Sequence, residues 1–249
     1  MFLHGEGTPV VVIPGLQGRW EWMGPALRAL AWRHRTISYS LANPRRFDDL
    51  VDQLDAVLDA ADLESAAICG VSFGGLVALR YAAVRPSRTQ ALVVVSTPPP
   101  SWRPTAQQAR YLASPWLSTP AFVATAPARL WPEIEAAIDS PLARARFAVS
   151  HAGRIVSAPA APGAMAARIG LMSEVDWCAD CERVHAPTLV VTGEEPLDRV
   201  VPPSGTREYA RLISGARSAT FSGTGHIGLV TQPDRFARIV SDFVNGNHP

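Results

Sequence analysis

Short apolar runs alternate with amphipathic segments in the N-terminal part of the chain. Four short runs favour strands: Pro9–Ile13, His34–Ser40, Ala66–Val71 and Thr89–Ser96. Short runs that are apolar throughout are typical of parallel strands covered on both faces. Between the second and third runs, Phe47–Ala61 places its leucines and valines on one face and most of its aspartates off that face. This pattern predicts a helix, and Leu76–Ala83 predicts another.

The same alternation returns near the end of the chain. Pro187–Val191 and Ser218–Phe221 predict strands, and Thr206–Ile213 and Pro233–Val244 predict helices. Strands that alternate with helices form right-handed βαβ units. We therefore predict an α/β fold with a mostly parallel central sheet flanked by helices.

A long segment between these two parts has a different character. From Thr97 to about His185 the chain is rich in Pro and Ala and has no convincing strand, although residues 133–138, 142–151 and 164–172 favour helices. A segment of this length is too long for a plain loop in a compact domain. We expect a core formed by residues 1–97 and 186–249, with a helical insertion at residues 98–185.

Composition excludes several classes of function. The 249 residues include 23 basic residues, all of them Arg, and 22 acidic residues, which gives a net charge of +1. Without Lys, Schiff-base chemistry and a nucleotide-binding P-loop are excluded, and the charge balance gives no reason to expect nucleic acid or a membrane as a partner. With three cysteines, no signal-like N-terminus and no run long enough to cross a bilayer, we expect a reducing, cytoplasmic compartment.

Ser72 is the candidate nucleophile. The sequence Gly-Val-Ser-Phe-Gly-Gly at residues 70–75 stands where an apolar strand meets a helix. A nucleophile on such a sharp turn needs small neighbours two residues away on either side, and Gly70 and Gly74 meet that need. The helix that follows would direct its free amides at charge developing beside Ser72. The competing interpretation is that Ser72 only caps the helix.

A serine hydroxyl becomes a good nucleophile when a base takes its proton, and that base needs an acid to orient it. His226 is the candidate base and Asp198 the candidate acid. Of the six histidines, His226 follows a predicted strand in a glycine-rich loop, at the edge where open α/β sheets place their sites. Asp198 lies after the preceding strand, and the span to His226 fits one helix, one strand and their loops. Glu194 and Glu195 remain alternative acids, and Asp198 could instead pair with a surface arginine.

The order Ser72, Asp198, His226, together with the glycine-flanked serine, resembles the α/β-hydrolase family over nearly the whole chain. The resemblance implies an eight-stranded or slightly reduced sheet and a helical cap formed by the insertion. It also implies that the backbone amides of Phe73 and Leu16 form the oxyanion hole. No metal or organic cofactor is implied.

Two further features have weaker functional interpretations. Cys178 and Cys181 have the spacing of a redox or metal pair, but no second cysteine pair would complete a zinc site. Trp20 follows the loop that carries Leu16, and we expect it to contact the substrate.

The resulting hypothesis is a serine hydrolase that cleaves an ester or related acyl bond of a small, apolar substrate through an acyl-enzyme. Hydrolysis of a carbon–carbon bond and acyl transfer use the same residues and stay open. A ligand sensor with slow turnover is the alternative from another class. The sequence leaves the acyl group, the leaving group and the oligomeric state open.

Overall fold

The computed structural model describes residues 1–117 and 124–246, and a sheet of seven strands lies at its centre. The strands are β1 (Phe2–His4), β2 (Pro9–Ile13), β3 (Arg35–Ser38), β4 (Ala66–Val71), β5 (Thr89–Val95), β6 (Thr188–Thr192) and β7 (Arg217–Thr220). They lie in the order β1-β3-β2-β4-β5-β6-β7. Strand β1 is antiparallel to β3, and the other neighbouring pairs are parallel. The predicted mostly parallel sheet is confirmed.

Strand β2 shows why both faces of the sheet are covered. Val11 and Ile13 lie in the apolar core on one face, and Val10 and Val12 lie in the core on the other. Side chains alternate across a strand, so a strand that is apolar at successive positions must be covered on both faces. The sheet is therefore the middle of three layers.

Helices form the two outer layers and the insertion. Their bounds are α1 (Gly24–Ala31), α2 (Asp48–Ala60), α3 (Phe73–Val84), α4 (Ala106–Ala113), α5 (Ala126–Ala137), α6 (Pro141–Ser157), α7 (Pro162–Leu171), α8 (Trp177–Arg183), α9 (Pro203–Thr206), α10 (Glu208–Leu212), α11 (Gly228–Thr231) and α12 (Pro233–Val244). Helices α2 and α3 pack on one face of the sheet, and α1 and α12 pack on the other.

The segment between β5 and β6 is helical, as the sequence predicts. Helices α5, α6 and α7 overlap the predicted ones, whereas α4 and α8 have no counterpart in the prediction. Trp177 and Cys181 of α8 pack into the core beside α3. The division into a core and an insertion at residues 98–185 stays a prediction. Helix α8 lies within these bounds but packs with the core.

Several elements differ from the sequence predictions. The helix after β4 begins at Phe73, as predicted for the turn at Ser72, and so extends the apolar segment Leu76–Ala83 at its N-terminal end. The predicted helix at 206–213 is two short helices, and Pro203 begins the first of them. The sequence does not predict β1 or α1, because β1 is very short and α1 begins with Gly24-Pro25, which normally signals a turn.

The cysteine pair does not have the properties of a reactive site. Cys178 is exposed and Cys181 is buried, and burial raises the pKa of the Cys181 thiol to about 12. Within residues 1–117 and 124–246, no group of three or more His, Cys, Asp or Glu side chains could hold a metal ion. Over the same ranges, no helix has the length and apolar character needed to cross a membrane.

Candidate active site

Ser72 lies at the sharp turn between β4 and α3. Its φ of 54° is positive, which is rare and strained for a residue other than glycine. The turn is held by backbone hydrogen bonds from Ser72 N–H to Val95 O at 2.8 Å and from Gly75 N–H to Ser72 O at 2.9 Å. The side chain is half-buried, so the turn presents the hydroxyl at the carboxyl edge of the sheet.

The glycines around Ser72 are required by close backbone contacts. A Cβ atom at Gly74 would lie 2.4 Å from Ile13 O and 2.5 Å from Pro14 O. A Cβ atom at Gly70 would lie 2.2 Å from Gly74 O. Distances below 3.0 Å cannot be accommodated without moving the backbone. The sequence prediction that the turn needs small neighbours therefore has a direct steric cause in the structure.

The loop after β2 lies beside Ser72. A Cβ atom at Gly15 would be 3.3 Å from Ser72 Cβ. Leu16, the predicted second oxyanion donor, is the next residue in this loop. Phe73, the predicted first donor, begins α3, so its N–H has no acceptor within the helix. Their role in an oxyanion hole stays a prediction.

Arg168 of α7 holds this loop from the insertion. Its guanidinium donates to Leu16 O at 2.8 Å, to Leu41 O at 2.9 Å and to Ala42 O at 3.1 Å. The residue is 3% exposed, and burial lowers the pKa of its side chain to about 10. Gly18 lies next to the guanidinium with a φ of +69°, which favours glycine, and a Cβ atom there would lie 2.5 Å from Nη1 of Arg168. No sequence signal marks Arg168, since all of these acceptors are backbone carbonyls.

His226 lies in the loop after β7 and contacts Asp198, which lies in the loop after β6. His226 Nδ1 is 3.3 Å from Asp198 Oδ2, although the two residues are 28 positions apart. Asp198 Oδ1 accepts from Val200 N–H at 3.1 Å and from Val201 N–H at 2.9 Å. Burial disfavours the charged form of Asp198, but its bonds to His226 and to these two amides hold its pKa below the usual value.

The two alternative acids have other partners. Glu194 Oε1 accepts from Gly223 N–H at 3.0 Å. Glu195 is exposed and pairs with Arg207. Of the three acidic residues left open by the sequence, Asp198 is the one that contacts the imidazole.

Ser72 and His226, the predicted nucleophile and base, are not hydrogen-bonded to each other in this structure. Among the described residues, Ser72 Oγ has no hydrogen-bond partner, while the imidazole of His226 contacts Asp198. Catalytic hydrogen bonds of ligand-free enzymes are often long and tighten when substrate binds. Ser72, Asp198 and His226 follow parallel strands β4, β6 and β7, so all three lie at one edge of the sheet.

Two other residues complete the description of the site. Glu133 of α5 is fully buried, and its Oε1 accepts from Ile227 N–H at 2.8 Å, next to His226. The sequence gives no signal for this contact. Trp20 packs against Phe2, with ring centroids 5.6 Å apart, in the core formed by α1 and α12. Its contact with substrate stays a prediction.

Known proteins resemble the chain over nearly its whole length. The model of the alpha/beta hydrolase fold family matches residues 8–233. A "Putative carbamate hydrolase RutD" from Caulobacter sp. is 28% identical over 98% of this chain and 94% of that protein. A shorter match, to the protein of the same name from Azorhizobium caulinodans, is 32% identical over 38% of this chain and 39% of that protein. A pimeloyl-[acyl-carrier protein] methyl ester esterase from Aromatoleum aromaticum is 28% identical over 99% of this chain and 98% of that protein.

A solved structure has the same fold. A hydrolase from Pseudomonas aeruginosa PA01 superposes with a TM-score of 0.81 at 23% identity, covering 98% of this chain and 92% of that one. Identity this low shows the fold alone. The relatives described above are named as hydrolases and as an esterase, which supports a hydrolytic enzyme. Because the family model matches most of the sequence and the sheet has the expected architecture, the chain belongs to the alpha/beta hydrolase fold family.

Proposed function

We propose that the protein is a serine hydrolase that cleaves a carboxylic ester or a related acyl bond of a small, apolar molecule through an acyl-enzyme. The observation that carries the proposal is the contact of His226 with Asp198, at the sheet edge where the strained turn presents Ser72. A buried carboxylate that faces Nδ1 favours the tautomer whose Nε2 can accept a proton.

The reaction divides into two steps. Ser72 Oγ attacks the carbonyl carbon, His226 Nε2 takes the hydroxyl proton, and the same proton passes to the departing alcohol oxygen. Water then attacks the acyl-enzyme, gives its proton to His226, and the acid leaves as Ser72 Oγ regains that proton. Asp198 stabilises the imidazolium in both steps. The amides of Phe73 and Leu16 would each supply about 2.7–4 kcal/mol of stabilisation to the oxyanion.

An apolar surface beside the proposed oxyanion loop supports an apolar substrate. Tyr111 of α4 and Ala166 and Ile169 of α7 form a small buried cluster, and Leu16 packs against it. A substrate bound beside Leu16 would therefore face a largely apolar environment, in which a polar group without a hydrogen-bond partner is unfavourable. We therefore expect short-chain and medium-chain aryl esters to be better substrates than charged ones.

A fluorophosphonate probe tests the nucleophile. The wild type should be labelled, and Ser72→Ala should not. Ser173→Ala is the matched control, because Ser173 is exposed and its hydroxyl donates only to Gly170 O. Persistent labelling of Ser72→Ala would remove Ser72 from this role.

A panel of aryl esters of increasing chain length tests the reaction. Turnover with release of the free acid supports ester hydrolysis. Release of the alcohol with transfer of the acyl group to a second alcohol would support an acyltransferase. A single turnover followed by tight product retention would support a sensor.

A further inference from the structure

Glu133 is an acid in an unusual position. It lies in α5, between β5 and β6, with no exposed surface, while Glu135 and Ala136 of the same helix are exposed. Burial of a carboxylate is costly unless it is hydrogen-bonded. One oxygen, Oε1, accepts from Ile227 N–H at 2.8 Å, and the other has no partner among the described residues. The contact joins positions 94 apart, so it fixes the insertion to the core.

The amides near Glu133 lie on either side of His226. The N–H groups of Ile227 and Gly225 both favour the charged form of this carboxylate. Burial dominates nonetheless and raises the pKa of Glu133 to about 7. His226 and Asp198 are the titratable groups whose charges act on it. The hydrogen bond to Ile227 N–H therefore holds the backbone directly after the proposed base.

The opposite side of the His226 loop is fixed by the core. A Cβ atom at Gly225 would lie 2.4 Å from Leu197 O, so the loop is packed tightly against the loop that carries Asp198. Glu194 N–H also donates to Thr224 O at 2.9 Å. A glycine-rich loop has more backbone freedom than other loops, so contacts on both sides are needed to fix one orientation of the imidazole.

We propose that Glu133 is a positioning residue, which holds the His226 loop from the insertion so that the imidazole is aligned while α5 is packed against the core. The inference rests on the proposed function, in which His226 is the base. Glu133 binds a backbone amide rather than the reacting atoms, so its removal should lower kcat and leave KM nearly unchanged. A residue that only anchors the insertion would change stability and leave kcat unchanged.

Three variants of Glu133 separate these roles. Glu133→Leu keeps much of the volume and removes the acceptor, and Glu133→Ala removes the acceptor without adding bulk. Glu133→Gln keeps one acceptor oxygen for Ile227 N–H. Glu135→Leu is the matched control, because Glu135 lies on the same helix but is exposed. For each variant, kcat and KM on an aryl ester, the thermal midpoint and the hydrogen exchange of residues 223–230 are measured.

We expect Glu133→Leu and Glu133→Ala to lower kcat by about 10- to 100-fold, because displacement of a catalytic group by about 1 Å can cost about a hundredfold in rate. KM should stay within about twofold, and exchange of residues 223–230 should become faster. Glu133→Gln should restore slow exchange and most of kcat. Glu135→Leu should match the wild type.

Two results would overturn the proposal. One is a kcat within about twofold of wild type in both acceptor-free variants, with only the thermal midpoint lowered. The other is a Gln variant as slow as the Leu variant at an unchanged midpoint. If the wild-type protein neither turns over esters nor reacts with fluorophosphonate, the proposed function fails. In that case, the exchange measurement still decides whether Glu133 holds the loop.

Discussion

Replacement of Asp198 by Asn tests the acid of the proposed triad without changing its shape. Asp198 Oδ1 accepts two backbone N–H groups, from Val200 at 3.1 Å and from Val201 at 2.9 Å, while Oδ2 faces His226 Nδ1. Asn has one accepting oxygen and one donating NH₂ group. Because the two amides require the oxygen, the NH₂ group must face His226.

This orientation fixes the wrong tautomer of His226. Nδ1 must then accept from Asn, so the ring proton moves to Nε2, which can no longer take the proton of Ser72. The same change in a serine protease lowers kcat by about 10⁴, which corresponds to a barrier higher by about 5 kcal/mol. We expect a loss of this size with little change in the thermal midpoint.

The assay is kcat on an aryl ester, with circular dichroism to verify folding. Glu195→Gln is the matched control, since it makes the same chemical change in the same loop at an exposed carboxylate that pairs with Arg207. A folded Asp198→Asn protein with kcat within about tenfold of wild type would show that Asp198 is not the partner of the base.

Four further variants test packing and charge. Gly74→Ala should lower the free energy of unfolding by at least about 1–3 kcal/mol, because the new Cβ would meet two backbone carbonyls at 2.4 and 2.5 Å. Gly153 lies in α6, where a Cβ atom would have no neighbour within 4 Å, so Gly153→Ala should raise the free energy of unfolding by about 0.5–1 kcal/mol. Urea titrations measure both variants, and equal effects of Gly74→Ala and Gly153→Ala would contradict the steric argument. Arg168→Met should lower the free energy of unfolding by about 1–3 kcal/mol and reduce kcat/KM, because the carbonyls of Leu16, Leu41 and Ala42 lose their donor. A variant as stable as the wild type would contradict this expectation. Burial raises the pKa of Glu133 from the usual 4.5 to about 7, so the free energy of unfolding should fall by about 3 kcal/mol in total as the pH rises through this window. Glu133→Gln should lose this pH dependence. The assignment would be refuted if the free energy of unfolding of the variant fell with pH as steeply as that of the wild type.

Local and topological signals explain what the sequence could predict. The turn at Ser72 is visible because strand, glycine-flanked serine and helix are contiguous. The placement of His226 follows from strand order, because residues after parallel strands meet at one edge of the sheet. The sequence favours Asp198 as the acid but does not exclude Glu194 or Glu195, since the choice depends on which carboxylate is directed at Nδ1.

The contacts of Glu133 and Arg168 could not be predicted from the sequence. Each is a charged residue in a helix of the insertion, and each interacts with backbone groups more than 90 positions away. Backbone acceptors and donors carry no residue-type signal, so neither contact leaves a pattern in the chain. Helix α1 is missed for another reason, since its Gly24-Pro25 start normally indicates a turn.

The bond between Glu133 and Ile227 N–H has a consequence for chimeric enzymes. Grafting the segment between β5 and β6 from a relative would appear to exchange substrate preference alone. In this protein, such a graft would also replace a support of the histidine loop, and the recipient would lose turnover for reasons unrelated to fit. Designs that retain an acceptor at position 133 should keep the chemistry while they alter the choice of substrate.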